Sequence, residues 1–207
     1  MSPWSRKELE ARLRSLPEPE PALDRLARLW EAASQADAPR LEALAASGHE
    51  SLARVLWACC AVAPFLTQHL LPHPTLLLDL AEDDLAQPRR LEELEGRLAG
   101  ALEDVGEADL PAALRRFKYA ELARITARDA AVELVPETRV AEVLAELSAL
   151  AEVILSQALA RTAAALEAEG GPPRWRGAHG EPLALRFAVL GLGKMGAHEL
   201  NYSSDVD

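Results

Sequence analysis

The sequence predicts a mainly α-helical protein in which an N-terminal helical region is followed by the start of an α/β domain. Its 207 residues are 49% hydrophobic but only 4% aromatic. A core of leucine, alanine and valine, combined with 27% charged residues, is typical of packed helices. Apolar residues recur at helical spacing to about residue 169 and at a spacing of two after residue 181. We therefore expect a helical region at 1–176 and a second unit at 181–207.

The N-terminal helices are indicated by their caps and by their apolar faces. Ser5 with Glu8, and Ser47 with Glu50, have the spacing of a capping box, which places helix starts at both positions. Apolar periodicity predicts a first helix around 9–16, a second around 23–30, and further helices over 39–46, 51–71, 75–85, 88–105 and 111–132.

A long helix and a strand are predicted in the last third of the chain. The clearest helical periodicity starts at Val140 and continues to about Glu169, with apolar residues at i, i+3, i+4 and i+7. Glycines and prolines at 170–173 then end the helix, and further glycines at 177 and 180 extend the loop. Apolar residues alternate from Leu183 to Leu190, which predicts a strand with one buried face. The junction between the two units is expected near 171–181.

The charge of the chain excludes some classes of partner. A formal net charge of −11 argues against a nucleic-acid groove, which needs a basic surface to release counterions from the phosphates. The same charge disfavours an anionic membrane surface. The longest stretch without formal charge, Val55–Leu78, is interrupted by prolines. Its continuous apolar part is therefore shorter than the about 20 apolar residues that a membrane span needs. We expect neither nucleic acid nor membrane as a partner.

The two cysteines, Cys59 and Cys60, are adjacent within an apolar helical stretch. A disulfide between neighbouring residues is strained, and neighbouring helical positions point in different directions. Two buried free thiols in a reducing compartment are therefore expected. The N-terminus is charged and shows no apolar core of a signal peptide. These observations predict a cytoplasmic protein.

The segment Gly191–Gly196 follows the predicted strand and admits three interpretations. It matches G-x-G-x-x-G, but a dinucleotide fingerprint should open a long helix with an acid about 20 residues on, whereas residues 201–204 would break such a helix. A Walker A loop is excluded because Ala188 stands where glycine is required and Met195 follows the lysine. The third interpretation is a nucleotidyltransferase site, with a strand, a glycine turn and then Asp-x-Asp on the next strand. We prefer this third interpretation because it accounts for both the glycine turn and the Asp-x-Asp run.

Asp205 and Asp207 would supply the metal chemistry of that site. Residues i and i+2 of a strand point to one face, so both carboxylates could bind Mg²⁺ against the phosphates of a nucleotide. Gly193 and Lys194 could hold those phosphates with backbone N–H groups and an ammonium group. Taken alone, an Asp-Val-Asp run can equally be a solvated strand end. The combination with the glycine turn at this separation favours the metal site.

Three segments carry a further pattern, in this order along the chain: Leu70–Leu80, Leu114–Asp129 and Gly191–Asp207. Together they resemble the glutamate–ammonia-ligase (glutamine synthetase) adenylyltransferase family. Gly191–Asp207 is similar to the family signature G-x-G-K-x-G-G-x-E-L-N-[FY]-x-S-D-[IV]-D. Leu70–Leu80 is similar to its H-P-E-L-L-x-D-L segment, and Leu114–Asp129 to its L-R-R-F-R-x-x-E-x-x-R-I-x-x-R-D helix. Two departures are Ala197, where a second glycine is usual, and Tyr119–Ala120, at positions that are typically basic.

The resemblance implies an activity and partners. Members carry two nucleotidyltransferase domains: the N-terminal one removes AMP from an adenylylated tyrosine of glutamine synthetase by phosphorolysis, giving ADP, and the C-terminal one adds AMP from ATP. A single helical region before the signature implies the N-terminal, deadenylylating half. The implied partners are glutamine synthetase, the PII signal protein, ATP, ADP and phosphate.

The resemblance also implies roles for individual residues. Asp205 and Asp207 would be catalytic metal ligands for Mg²⁺. Phosphate would be bound by a second group, namely Gly191, Gly193, Lys194, Gly196 and Ser204, with Ser203 either assisting or only forming the turn. The third metal carboxylate of this superfamily lies on a later strand, so we expect the 207-residue polypeptide alone to be inactive.

Two alternative functions belong to other classes. The helical region could be an interaction module that binds glutamine synthetase or the PII signal protein without chemistry. A dinucleotide-binding oxidoreductase would instead need a long helix over residues 194–206.

Several other polar residues are assigned structural roles. Four arginines of one predicted helix could form a basic face toward phosphate or the acidic surface of a partner. Alternatively, Arg116 and Arg124, together with Glu121, could make structural pairs along the helix with Asp129 and Lys118. We prefer the structural interpretation. His198 and Glu199 are taken as solvated or packing residues, and His69 and His73 as capping or packing groups. The four arginines are Arg115, Arg116, Arg124 and Arg128.

Overall fold

A computed structural model of the chain describes residues 5–48, 50–130, 140–185, 187–202 and 204. The fold is mainly α, as the sequence predicts, with one small two-stranded sheet in the described part of the chain. The helices are α1 Arg6–Leu13, α2 Pro19–Ala46, α3 Glu50–Trp57, α4 Phe65–Leu70, α5 Pro74–Glu82, α6 Leu91–Ala101, α7 Leu110–Asp129, α8 Val140–Gly170 and α9 Gly193–Gly196.

Helices begin near both predicted capping boxes, but only the first of these boxes is formed. Ser5 and Glu8 form the expected capping box before α1. The start of α3 at Glu50 is confirmed, but the Ser47 hydroxyl donates back to the carbonyl of Leu44 at 3.0 Å. Ser47 therefore ends α2, and the expected capping box at this position is wrong.

The predicted second and third helices are two arms of the kinked helix α2. Asp37 has non-helical dihedrals, with φ −158° and ψ 83°, and Pro39 follows it. The Asp37 carboxylate accepts a hydrogen bond from the backbone N–H of Arg40 at 3.1 Å. Asp37 is thus the N-cap of the second arm, which satisfies a backbone donor that the kink would otherwise leave unpaired.

The predicted helix over 51–71 is divided into three pieces. A single π-helical turn, Ala58–Val62, follows α3, and α4 begins after Pro64. Cys59 and Cys60 lie in this turn as buried free thiols, as expected. The guanidinium of Arg25 donates to the carbonyl of Cys60 at 2.7 and 3.0 Å. This contact satisfies a carbonyl in a turn where the regular hydrogen-bond pattern is interrupted.

One continuous apolar core joins α1–α8 and is built almost entirely from leucine and alanine. Helices α2, α3 and α5 pack together, and α7 lies between this group and α6 and α8. Leu200, from the C-terminal segment, belongs to the same core with only 5% of its surface exposed. The C-terminal segment is therefore attached to the helical region by packing.

Helix α8 is buried along its first half and largely exposed along its second. Val143, Leu150 and Val153 are buried, whereas Leu155 and Leu166 are exposed. By length and composition alone α8 could cross a membrane, with a mean hydropathy of 1.6 over its most apolar window, of which 33% is buried. Helix α8 packs on α6 and α7, which is typical of a core helix. That a membrane is not a partner stays a prediction.

A β-hairpin crosses the predicted domain junction. Its strands, β1 Arg174–Arg176 and β2 Pro182–Ala184, pair antiparallel with Trp175 opposite Leu183. The predicted strand over 183–190 is therefore wrong in extent, because residues 187–190 are not in a strand and are exposed. A strand needs a neighbour for its backbone groups, and β1 provides one for only three residues. The start of an α/β nucleotidyltransferase domain, and the boundary at 176–181, stay predictions.

Candidate functional site

The glycine turn at 191–196 has a geometry that depends on its glycines. Gly193 has φ 56°, in the left-handed region that disfavours side chains. A Cβ at Gly196 would lie 2.4 Å from the carbonyl oxygen of Gly191. The turn closes into the short helix α9, whose last bond runs from the N–H of Ala197 to the carbonyl of Gly193 at 3.0 Å. Glycine is thus sterically required at 193 and 196.

A cleft of about 800 Å³ separates this turn from α8. Four of the five residues predicted to bind phosphate line it, and Gly193 is the exception. The α8 side of the cleft carries Glu152 and Ser156, which the sequence did not indicate. His198, predicted from the sequence to be a solvated or packing residue, also lines the cleft. The four predicted residues brought together are Gly191, Lys194, Gly196 and Ser204.

Ser204 lies in the cleft but its hydroxyl is engaged by its own turn. The Ser204 Oγ donates to the Asn201 side-chain oxygen at 2.7 Å and accepts from the backbone N–H of Asn201 at 3.1 Å. The backbone N–H of Ser204 donates to the carbonyl of Asn201 at 3.0 Å. These bonds close the turn 201–204 that directly precedes Asp205. The predicted role of Ser204 toward phosphate stays a prediction.

The segment between the glycine turn and Asp205 is anchored on α7 and α8. The backbone N–H of Leu200 donates to the hydroxyl of Ser148 at 3.0 Å, in buried surroundings. Burial raises the pKa of the Tyr202 hydroxyl above its usual value, and the nearby carboxylate of Asp129 acts in the same direction. The Tyr202 hydroxyl also interacts with Thr126. Leu200 and Tyr202 thus fix this segment against the last turns of α7 and the first half of α8.

A buried network of ion pairs lies under that anchor. The Glu146 carboxylate of α8 is 2.5 Å from the Arg124 guanidinium and 3.1 Å from that of Arg128, both on α7. Arg124 also donates to the carbonyls of Asp84 and Gln87 at 2.9 and 2.6 Å. All three charged side chains are 2% exposed. A buried charge must be paired in this way, because desolvation would otherwise cost several kcal/mol.

The network extends to the segment between α5 and α6. Arg89 pairs there with Asp83 and with Glu121 of α7, and Arg97 lies 3.2 Å from the same Glu121 carboxylate. The structural interpretation of Arg124 and Arg128 is therefore confirmed. Their partners are carboxylates of other segments, so the predicted pairing of Arg124 along its own helix is wrong. Arg115 and Arg116, by contrast, are exposed and form no ion pair within the described residues.

The two histidines before α5 differ in role. The His69 ring stacks on Tyr119, with ring centroids 3.4 Å apart and an interplanar angle of 9°, which is a packing role. Burial lowers the pKa of His69, and the Lys118 ammonium lowers it further. His73 is the N-cap residue of α5, but its side chain makes no capping hydrogen bond.

The predicted metal ligands Asp205 and Asp207, together with Ser203, lie outside the described residues. Within the described residues no three histidines, cysteines or carboxylates are grouped so that they could hold a metal ion. The structure describes the glycine turn, the cleft and the anchor that leads to Asp205. The metal site therefore stays a prediction from the sequence.

A family model described as glutamate-ammonia ligase adenylyltransferase matches residues 52–207. Curated relatives of the chain bear the name bifunctional glutamine synthetase adenylyltransferase/adenylyl-removing enzyme. The relative from Thioalkalivibrio sulfidiphilus is 38% identical over 160 residues, covering 76% of this chain and 15% of its own length. That from Pseudomonas aeruginosa is 36% identical over 170 residues, covering 81% and 16%. That from Burkholderia mallei is 42% identical over 118 residues, covering 57% and 12%.

No solved structure matches the chain. The aligned part of the chain spans about one sixth of the length of the relatives from Thioalkalivibrio sulfidiphilus and Pseudomonas aeruginosa. The family match includes the two motifs of the helical region, Leu70–Leu80 and Leu114–Asp129, and the glycine turn beside α8. The buried arginines of α7 lie within the second of these motifs. The chain belongs to the glutamate-ammonia ligase adenylyltransferase family.

Proposed function

We propose that the chain is the N-terminal part of an enzyme that regulates glutamine synthetase by removing AMP from a modified tyrosine and, through another domain, by adding it. Family membership and the names of the curated relatives support glutamine synthetase as the substrate. The single observation that carries the proposal is the glycine turn, which faces a cleft and is held in place by Leu200 on Ser148.

In the proposed reaction an oxygen of inorganic phosphate attacks the phosphorus of AMP bound to tyrosine. The bond between that phosphorus and the tyrosine oxygen breaks, ADP is released, and the tyrosine oxygen takes up a proton. Lys194 and the turn around Gly191 and Gly196 would bind phosphate oxygens, since they line the cleft. Glycine at 196 allows the close approach of backbone that the turn requires.

Asp205 and Asp207 would hold Mg²⁺ in this proposal. Their two carboxylates are hard oxygen donors, which is the ligand type that Mg²⁺ prefers. When bound, the metal neutralises charge on the phosphoryl group that is transferred. The anchor at Leu200 and Tyr202 holds the segment that leads to both carboxylates.

The wider setting is also part of the proposal. The PII signal protein would be a regulatory partner, ATP, ADP and phosphate would be ligands, and the protein would act in the cytoplasm. Two buried free thiols agree with a reducing compartment.

Calorimetric titration of the chain with Mn²⁺, with and without ADP, tests the proposal. Binding of the metal should strengthen in the presence of ADP and should be lost in Asp205→Asn and Asp207→Asn, because each variant removes one anionic ligand. Asp24→Asn, at a side chain that is 66% exposed on α2, is the matched control and should bind as the unaltered chain does. Metal binding that is equally strong in all of these variants would remove the basis for the site.

A second candidate is an interaction module that binds glutamine synthetase or the PII signal protein without chemistry. It is favoured by the complete apolar core that α1–α8 form together. In that case Asp205→Asn would leave binding of the partner unchanged while no nucleotide would bind.

A further inference from the structure

A basic and aromatic face lies on α4, on the turn before α5 and on the first half of α7. We call it the α4–α7 face and define it by Phe65, His69, Arg115, Arg116 and Tyr119. These residues surround a shallow cleft of about 190 Å³, or lie directly beside it. The site with the glycine turn is lined by a different set of residues.

The aromatic part of the face is ordered and partly open to solvent. Tyr119 stacks on His69 and receives the edge of Phe65 at a centroid distance of 6.4 Å and an interplanar angle of 69°. The Lys118 ammonium lies 5.6 Å from the centre of the Tyr119 ring. Phe65 is nevertheless 46% exposed, and the nearby Val62 is 52% exposed. Apolar side chains are thus presented to solvent beside cations.

The arginines of the face form no ion pair within the described part of the chain. Arg115 and Arg116 are exposed and have no carboxylate at ion-pair distance among the residues that the structure describes, and no acidic residue lines the cleft. On the same helix, Arg124 and Arg128 are buried and pair with carboxylates of other segments. In a chain with a net charge of −11, such a concentration of unpaired cations marks a surface suited to a negatively charged partner.

We propose that the α4–α7 face binds an acidic segment of a partner protein. Protein interfaces are enriched in arginine and aromatic residues, which carry most of the binding energy. A free phosphate would gain nothing from Phe65 and Val62, and the cleft is smaller than the roughly 300–1,000 Å³ that enclose a nucleotide-sized ligand. Acidic side chains would pair with Arg115 and Arg116 while an apolar residue of the same segment covers Phe65. This binding goes beyond the proposed function and needs neither nucleotide nor metal.

Fluorescence anisotropy of a labelled copolymer of glutamate and tyrosine tests the proposal on the 207-residue chain. The copolymer should bind, and the pair Arg115→Glu with Arg116→Glu should weaken binding by about tenfold or more, because two cations at the centre of the face become anions. Phe65→Ala should weaken it by several-fold. The matched control is Arg174→Glu with Arg176→Glu, which makes the same change of charge at exposed positions of β1 and should have little effect.

Three results would overturn the proposal. The first is that the copolymer does not bind. The second is that the control pair on β1 weakens binding as much as the pair on α7, which would indicate general charge attraction. The third is that inorganic phosphate binds and displaces the copolymer, which would indicate a small-anion site. If circular dichroism shows that the glutamate variants are unfolded, Arg115→Gln with Arg116→Gln replaces them and should still weaken binding. The assay contains neither metal nor nucleotide. Its outcome therefore does not depend on whether the proposed Mg²⁺ site exists, and the two proposals can fail separately.

Discussion

The backbone N–H of Leu200 donates a hydrogen bond to the Ser148 hydroxyl at 3.0 Å, and this bond joins the C-terminal segment to α8. The same hydroxyl donates to the carbonyl of Leu144 at 2.8 Å. Ser148 is completely buried and Leu200 is 5% exposed. The Ser148 hydroxyl therefore bonds a carbonyl of α8 and a backbone N–H of the C-terminal segment, close to the site that we propose.

Ser148→Ala should detach this segment locally. The variant leaves the N–H of Leu200 buried without an acceptor, which costs about 1–3 kcal/mol. Hydrogen exchange at the Leu200 amide should accelerate, and the free energy of unfolding in urea should fall. Ser156→Ala, on the exposed part of the same helix, is the control. An unchanged exchange rate at Leu200 would show that the hydrogen bond does not hold the segment.

Glu146→Gln should be among the most destabilising changes to a polar residue of the chain. It leaves two buried guanidinium groups, on Arg124 and Arg128, without their shared counter-charge, which costs about 3–5 kcal/mol in the free energy of unfolding. Glu142→Gln removes a carboxylate that pairs with Arg128 but whose side chain is 40% exposed, so its effect should stay below about 1 kcal/mol. Urea denaturation of both variants measures the difference, and equal losses would contradict the assigned burial.

Stability should decline at alkaline pH through the two thiols. Burial raises the pKa of Cys60 to about 12 and that of Cys59 further, from an ordinary value of 9.0. Above pH 9 the unfolded chain loses these protons while the folded chain keeps them. Above pH 9 the free energy of unfolding should therefore fall as the pH rises.

The double variant Cys59→Ala with Cys60→Ala checks this pH dependence. Its decline should be shallower but not absent, because the pKa of Tyr202 is also raised. In the folded chain neither thiol should react with a disulfide reagent at pH 8, and both should react in denaturant. Rapid modification of the folded chain would contradict the burial of these two thiols.

Asp37→Ala should destabilise the second arm of α2. The variant removes the acceptor for the backbone N–H of Arg40 and should cost about 1 kcal/mol, the usual effect of losing an N-cap. Asp37→Asn keeps a side-chain oxygen at the same position and should retain most of that stability. Equal losses in the two variants, measured by urea denaturation, would argue that charge and not capping is the stabilising property.

The helices could be predicted from the sequence because their signals are local. The capping box at Ser5 and the periodicity that starts at Val140 each depend on residues within a few positions of one another. The strand over 183–190 could not be decided in the same way. Alternation describes a face that would be buried, but a strand also needs a partner, and the structure describes one for residues 182–184 only.

The candidate site shows the same limit. The glycine turn is contiguous in sequence, so Gly191, Lys194 and Gly196 could be identified together. Glu152 and Ser156 reach the cleft from a helix about 40 residues earlier, and only tertiary packing brings them there. Likewise, the partners of Arg124 lie on other segments, which intrahelical spacing cannot reveal.

The exposed apolar residues of β2 and of the segment that follows it have a practical consequence for handling the polypeptide. Exposed apolar side chains follow one another there over ten positions, which is the kind of sequence that promotes aggregation when left unshielded. We expect concentrated solutions of the 207-residue polypeptide to precipitate first through this stretch, and a lysine in place of Val189 to improve its yield. The exposed side chains are Leu183, Leu185, Phe187, Val189, Leu190 and Leu192.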